Sequence, residues 1–97
     1  MTYPALELLL QAYLNLDWPD DYPDVWSAVD DFVANEAIAA QIADEVTEIL
    51  DSGESEDALR RFIVGDLGSG YLPEGDGMAT REWLETVRLR VRKALGG

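Results

Sequence analysis

The spacing of the apolar residues predicts helices along most of the chain. In the first segment, YPALELLLQAYLNL, apolar side chains recur every three or four positions and Pro4 suits a first helical position, so we predict a helix that ends near Leu16. Two prolines interrupt this pattern, and Pro23 is expected in the first turn of a second helix. One face of that helix is apolar, and the opposite face carries Asp24 and Asp31.

Three further helices follow from the same spacing. Asn35 is a candidate N-cap for the third helix, which Gly53 closes just beyond its end. Ser55 starts a fourth helix that stops at Gly68, and a fifth begins near Thr80, after the glycine-rich segment GSGYLPEGDGM. The sequence shows no convincing strand pattern or internal repeat. We therefore predict an all-α fold, a single compact bundle of about five helices that forms one domain over residues 1–97.

The charge of the chain is strongly acidic and unevenly distributed. Seven basic and twenty acidic residues give a net charge of −13 over 97 residues. Residues 1–59 contain fifteen acidic residues and no basic ones, a charge of −15, while residues 60–97 contain seven basic and five acidic ones, a charge of +2. Such a field repels nucleic acids and anionic lipids and attracts a basic protein. Two alternatives stay open for this charge: the acidity serves solubility, or the basic last helix folds back on the acidic half.

The residue types restrict the chemistry that the chain can perform. It contains neither cysteine nor histidine, so disulfides, thiolates and the commonest zinc and nucleophile–base arrangements are excluded. A pair of carboxylates is the remaining catalytic option, but twenty acidic residues make such pairs inevitable and therefore uninformative. We predict no enzymatic activity, no cofactor and no metal site. The sequence also lacks a membrane-spanning run and a signal peptide, so we expect a cytoplasmic protein.

One segment combines aromatic and acidic residues in a way that is typical of a binding surface. DWPDDYPDVWSAVDD, residues 17–31, holds six aspartates and three aromatic residues and no basic one. Trp18 and Tyr22 lie among prolines, and rigid rings surrounded by one sign of charge are suited to an interface. The alternative is that these rings cover the end of the bundle while the aspartates cap a helix. Trp26 and Trp83 are expected in the core, and Tyr71 is either an exposed contact or packed inside.

Two blocks of the sequence resemble a known family. YLNLDWPDDYPDVWSAVDDFV and DLGSGYLPEGDGMATREWLETVRLRV, which together cover about half the chain, are similar to the CdiI immunity proteins of bacterial contact-dependent growth inhibition systems. The shared features are the acidic segment that runs into VDDFV, the LGSGY turn, the P-x-GDG loop and the REWL start of the last helix. The resemblance implies binding to the C-terminal toxin domain of a CdiA-type effector and inhibition of that toxin inside the cell.

Many such toxins are nucleases, and a nuclease needs a basic surface to hold a phosphate backbone. An acidic inhibitor can therefore present carboxylates where phosphates would lie. We predict these toxin-binding residues: Asp17, Trp18, Asp20, Asp21, Tyr22, Asp24, Asp31, Tyr71, Glu74 and Asp76.

A second interface and a second function also fit the sequence. The predicted outer face of the third helix, with Asp44, Glu45, Glu48 and Asp51, is a second candidate interface. The alternative function is an acidic adaptor or nucleic-acid mimic that regulates a basic host protein; it predicts several basic partners, whereas immunity predicts one. The sequence leaves the oligomeric state open, with a monomer as the expectation, and predicts a protein partner rather than nucleic acid or membrane.

Overall fold

The computed structural model describes residues 2–96, which contain helices, turns and loops but no strand. The six α-helices are α1 Pro4–Leu8, α2 Trp18–Asp21, α3 Val25–Asn35, α4 Ile42–Asp51, α5 Glu56–Arg61 and α6 Thr80–Ala94. Three of them are extended by helical turns of other widths: π-helical Leu9–Tyr13 after α1, 3₁₀-helical Ala37–Gln41 before α4 and π-helical Phe62–Asp66 after α5.

These extensions make five long helical segments, at residues 4–13, 25–35, 37–51, 56–66 and 80–94. The helix α2 is a single additional turn. The predicted all-α class is therefore confirmed, and the predicted number of about five agrees with the long segments. Within residues 2–96, no helix has the length and apolar character needed to cross a bilayer.

The last helix is the centre of the hydrophobic core. α6 packs against α3, α4 and α5, and its Trp83 is completely buried, as the sequence predicts. Trp26 differs from the prediction because it is only half-buried. The guanidinium of Arg90, on α6, lies 5.2 Å from the centre of the Trp26 ring and covers one of its faces. The helical spacing that points Trp26 inward cannot show that a neighbouring helix supplies a charged residue there.

Two of the predicted helix starts are wrong by a few residues. Pro23 lies outside α3, because Asp24 is the N-cap and its carboxylate accepts a hydrogen bond from the Ser27 N–H at 2.7 Å. Asn35 does not cap the next helix; it is the last residue of α3, and its side-chain amide donates to the backbone carbonyl of Asp31 at 2.8 Å. The predicted end of the first helix near Leu16 is also wrong, because the helical segment ends at Tyr13. The predicted starts at Pro4 and near Thr80, and the signals around α4 and α5 that follow, are confirmed. Ser55 caps α5, and glycines with positive φ follow the ends of two helical segments: Gly53 (φ 74°) and Gly68 (φ 76°).

A buried carboxylate joins α4 to the start of α1. The two oxygens of Glu45 accept hydrogen bonds from the backbone N–H groups of Ala5 (3.0 Å) and Leu6 (2.9 Å), and Glu45 is only 7% exposed. These N–H groups have no partner inside their own helix, so Glu45 satisfies the N-terminus of α1. The prediction that Glu45 belongs to the outer face of this helix is therefore wrong.

Candidate protein-binding surface

The predicted site residues come from three parts of the chain: α2 with its flanking residues, the first turns of α3 and the glycine-rich loop before α6. We call these ten residues the aromatic–acidic surface: Asp17, Trp18, Asp20, Asp21, Tyr22, Asp24, Asp31, Tyr71, Glu74 and Asp76. The turn of α2 is closed by a hydrogen bond from the Tyr22 N–H to the Trp18 carbonyl at 3.1 Å. Pro19 in its first turn has no N–H to leave unsatisfied.

Trp18 is held by a row of aromatic side chains that reaches into the core. Its ring meets Tyr71 edge-on, with 5.7 Å between ring centres, and Tyr71 in turn lies 5.4 Å from Trp83. Edge-on contacts of this kind are favourable because the positive ring edge meets the negative face of the neighbour. Trp18 is half-buried by this packing. It therefore presents a fixed ring at the surface, with the rest of its area covered.

Tyr71 is buried and does not form an exposed contact. Only 3% of it is accessible, and its hydroxyl donates a hydrogen bond to Asp76 at 2.8 Å. Burial raises the pKa of the Tyr71 phenol well above its usual value, and the hydrogen bond to Asp76 raises it further. The structure thus selects the packed alternative for Tyr71, whose role is to support Trp18 from below.

The glycine-rich loop approaches the end of the first helical segment very closely. The Gly70 N–H donates to the Leu14 carbonyl at 2.7 Å, and a Cβ on Gly70 would lie 2.3 Å from the Asn15 carbonyl carbon and 2.4 Å from the Leu16 nitrogen. Only glycine fits such an approach. The contact sets the loop, and with it Tyr71, against the segment that leads into α2.

Two exposed leucines lie at this contact and are absent from the sequence-based assignment. Leu16 is 86% exposed, and Leu72, two residues beyond Gly70, is 43% exposed. An isolated exposed leucine is ordinary. Leu16, however, borders the Gly70 contact and lies two residues before Trp18, so it adds apolar area to an otherwise acidic surface. The apolar spacing gave no signal for this exposure, because Leu16 lies three residues after Tyr13 and seven after Leu9, as a buried position would. Leu16 is exposed because the helical segment already ends at Tyr13.

Tyr22 and Asp31 bind each other and brace the corner between α2 and α3. The Tyr22 hydroxyl donates to Asp31 Oδ2 at 2.5 Å, and Asp31 Oδ1 accepts from the Asn35 amide at 2.6 Å. The hydrogen bond from Tyr22 to Asp31, together with partial burial and the negative charge of Asp31, raises the pKa of Tyr22 to about 12. Both side chains are half-buried, so they are less available to a partner than a sequence-based interface assignment implies.

The remaining carboxylates of the aromatic–acidic surface differ in how far they are engaged. Asp24 caps α3, and the hydrogen bond from the Ser27 N–H holds the pKa of its carboxyl below the usual value. Glu74 forms an exposed ion pair with Arg60 at 2.8 Å. In contrast, three exposed aspartates form no side-chain hydrogen bond and no ion pair within residues 2–96: Asp17, Asp20 and Asp21. Within the aromatic–acidic surface, the acidic charge available to a partner is therefore concentrated on and beside α2.

The basic last helix neutralises little of the acidic half. Across residues 2–96, one ion pair joins α6 to residues 1–59, between Arg90 and Asp30 at 2.8 Å. Arg88 instead donates to the Thr47 hydroxyl at 3.0 Å. In the same part of the chain, no cluster of three or more acidic residues is arranged to hold a metal ion. Most carboxylates of the acidic half therefore face solvent without a cationic partner.

Comparison with known proteins gives a match that includes the residues described above. The model of a family described as CdiI immunity protein matches residues 2–91, a range that includes the whole aromatic–acidic surface and the middle of the chain. No curated protein sequence matches significantly. One chain of a crystal structure described as a CdiA-CT/CdiI complex from Y. kristensenii has the same fold, with a TM-score of 0.86 at 22% identity over 92% of this chain and 97% of that chain.

Proposed function

Since this chain belongs to the CdiI immunity protein family, we propose that it binds the C-terminal toxin domain of a CdiA-type effector in the cytoplasm and neutralises it by one-to-one binding. The family match over residues 2–91 carries this proposal. A similar fold in a structure described as a complex of CdiA-CT with CdiI supports it.

We place the toxin contact on the aromatic–acidic surface, with α2 at its centre. Interfaces obtain most of their binding energy from a few rigid apolar or aromatic side chains, while surrounding charges accelerate association and exclude wrong partners. Trp18 is such a ring, backed by buried Tyr71, and exposed Leu16 and Leu72 enlarge the apolar area. The uncommitted carboxylates on and beside α2 supply the charge.

The residues of this surface have two kinds of role in the proposal. Trp18 and the α2 aspartates touch the toxin, whereas Tyr71, Tyr22 and Asp31 hold them in position through contacts inside the chain. Glu74 and Asp76 lie at the edge, where each already has a partner of its own.

We further propose that the toxin is a basic nuclease. A nuclease must bind phosphates with arginine and lysine side chains. Carboxylates on a rigid helical turn can bind the same arginine and lysine side chains in place of the phosphates. The carboxylates on and beside α2, in a chain of net charge −13, supply the attraction to such a basic domain.

Calorimetric titration tests the function directly. The protein is titrated into the C-terminal domain of the CdiA-type effector encoded beside it, in a catalytically disabled form, and into an unrelated basic protein of similar charge. We expect tight one-to-one binding to the toxin domain alone. Binding of both with similar affinity would point instead to a general acidic adaptor, and absence of binding to the toxin domain would contradict the proposal.

A double charge reversal tests the location. Asp20→Lys/Asp21→Lys changes the charge by +4 without removing a hydrogen bond, and we expect association with the toxin at least roughly tenfold slower at 0.15 M salt. The matched control is Glu82→Lys/Glu85→Lys on α6, which has the same charge change at exposed positions. Asp24 is left intact because it caps α3. If both double variants slow association equally, the toxin does not contact α2 specifically.

A further inference from the structure

A cleft on a different part of the molecule is built around Tyr3. It lies between the C-terminal end of α4 and the start of α5, encloses about 310 Å³ and continues into a shallower depression along α4. Ile49, Leu59 and Phe62 contribute apolar walls. The Tyr3 ring meets Phe62 edge-on, with 5.6 Å between ring centres, and is half-buried, so part of it faces the cleft in a fixed orientation. We call this feature the Tyr3 cleft.

The rim of the Tyr3 cleft is acidic and lacks a cationic partner. Four exposed carboxylates line it: Asp44, Glu48, Asp51 and Glu54. None of their side chains takes part in a hydrogen bond or ion pair within residues 2–96, and the last turn of α4 contains no basic residue. The charges of Glu48 and Glu45, after the larger effect of burial, raise the pKa of the Tyr3 phenol, which agrees with their proximity to the ring.

This placement of charge is unfavourable for the isolated helix. Glu48 and Asp51 lie in the last turn of α4, where the unpaired carbonyls carry partial negative charge and cations are preferred. The hydroxyl of Ser52, the residue after α4, donates a hydrogen bond to one of these carbonyls, that of Ile49, at 2.6 Å. The helix end and the carboxylates therefore favour a cation beside the Tyr3 ring. One basic side chain, Arg88, reaches the wall of this depression, where it donates to the Thr47 hydroxyl at 3.0 Å, but within residues 2–96 it forms no ion pair with these carboxylates.

We propose that the Tyr3 cleft binds an arginine side chain from a basic segment of the toxin domain. The guanidinium lies over the Tyr3 ring and between Glu48 and Asp51, and its aliphatic stem packs on the apolar walls. Arginine suits this site better than lysine, because its planar group stacks on a ring while it donates to carboxylates. The inference rests on the proposed toxin binding and adds a second contact, separate from the aromatic–acidic surface.

A charge reversal in the cleft separates binding from folding. Glu48→Lys/Asp51→Lys replaces acidic groups at the negative end of α4 by basic ones, so we expect a higher melting temperature together with at least roughly tenfold weaker toxin binding. Glu82→Lys/Glu85→Lys is the control of equal charge, with an expected change in Kd below about threefold. Unchanged toxin affinity in the cleft variant, while the wild-type protein binds, would overturn the cleft and leave the proposed function standing.

A pair of substitutions at Tyr3 tests the stacking without changing the charge. Tyr3→Leu removes the aromatic face and is expected to weaken toxin binding roughly three- to thirtyfold, whereas Tyr3→Phe keeps the ring and should stay within about twofold of wild type. Equal affinities for the two variants would overturn the proposed guanidinium contact. If the wild-type protein itself fails to bind the toxin domain, the proposed function fails, and the cleft assignment fails with it.

Discussion

At the scale of single residues, Gly70 shapes the aromatic–acidic surface. Its missing side chain lets the glycine-rich loop lie directly on the backbone of Asn15 and Leu16. That contact places Tyr71 under Trp18 and brings the loop beside exposed Leu16. A Cβ atom at position 70 would therefore displace the loop from the segment that leads into α2.

We expect Gly70→Ala to destabilise the fold by about 2 kcal/mol or more, because the new Cβ would overlap backbone atoms that cannot rotate away. Urea unfolding followed by circular dichroism measures this change. Gly75→Ala is the control, since a Cβ there meets nothing within 4 Å, and it should change the free energy of unfolding by less than about 1 kcal/mol. Equal stabilities of the two variants would show that the loop does not press on this segment.

At the scale of helices, two carboxylates each complete the N-terminus of a helix other than their own. Glu45 on α4 accepts from the first N–H groups of α1, and Glu56 on α5 accepts from Thr80 (2.6 Å) and Arg81 (3.1 Å) at the start of α6. A negative group at this end also complements the helix dipole. Two of the acidic residues thus contribute to the fold itself, which reduces the number that need a functional explanation.

The Glu56 contact predicts a specific dependence of stability on pH. Partial burial by itself would raise the pKa of the Glu56 carboxyl, but the hydrogen bonds from Thr80 and Arg81 outweigh it and hold the pKa below the ordinary value of 4.5. A carboxyl whose pKa is lower in the folded state stabilises the protein above the unfolded pKa, and this contribution is lost as the pH falls through the folded pKa.

We therefore expect wild type to exceed Glu56→Gln in melting temperature at pH 7 and the difference to shrink as the pH falls below about 4.5. Asp57→Asn, the neighbouring exposed carboxylate, is the control and should show a smaller difference at every pH. Thermal unfolding from pH 7 to pH 3 measures both. A difference for Glu56→Gln that is constant across this range would contradict the capping role.

At the scale of the whole molecule, most of the acidic charge is not paired within residues 2–96. The net charge is −13, and within residues 2–96 only two ion pairs form. The molecule measures 31 × 29 × 22 Å, whereas salt at 0.1 M screens exposed charges beyond about 10 Å. A partner at physiological salt therefore senses mainly the carboxylates of the face that it approaches.

For a basic toxin domain, we expect the association rate constant to fall at least roughly tenfold between 0.05 and 0.5 M NaCl, while the dissociation rate changes far less. Stopped-flow mixing can follow association through the tryptophan fluorescence of the protein, to which half-buried Trp18 contributes. The same series with Asp20→Lys/Asp21→Lys should show a smaller dependence on salt. An association rate that does not depend on salt would contradict charge-guided binding.

Local signals in the sequence were sufficient for the helical class and most helix ends. Apolar spacing depends only on the helical repeat. The Ser55 cap and the two helix-ending glycines, Gly53 and Gly68, act within a few residues of the chain. The two recognisable blocks likewise pointed to the family that residues 2–91 match. The assignment of the aspartates on and beside α2 to a toxin contact was also made from the sequence, and it stays a prediction.

The inward turn of Glu45, the burial of Tyr71 and the half-exposure of Trp26 required contacts between residues far apart in the chain. The sequence of α4 alone places Glu45 on its surface, and Glu45 is buried because it binds the free N–H groups of α1. Tyr71 is buried because Gly70 lets the loop lie directly on the backbone of Asn15 and Leu16. The Tyr3 cleft is likewise formed by residues from three segments. Helical periodicity reports which side of its own helix a residue occupies, but what lies opposite that side depends on how the helices pack, and that packing is a property of the whole chain.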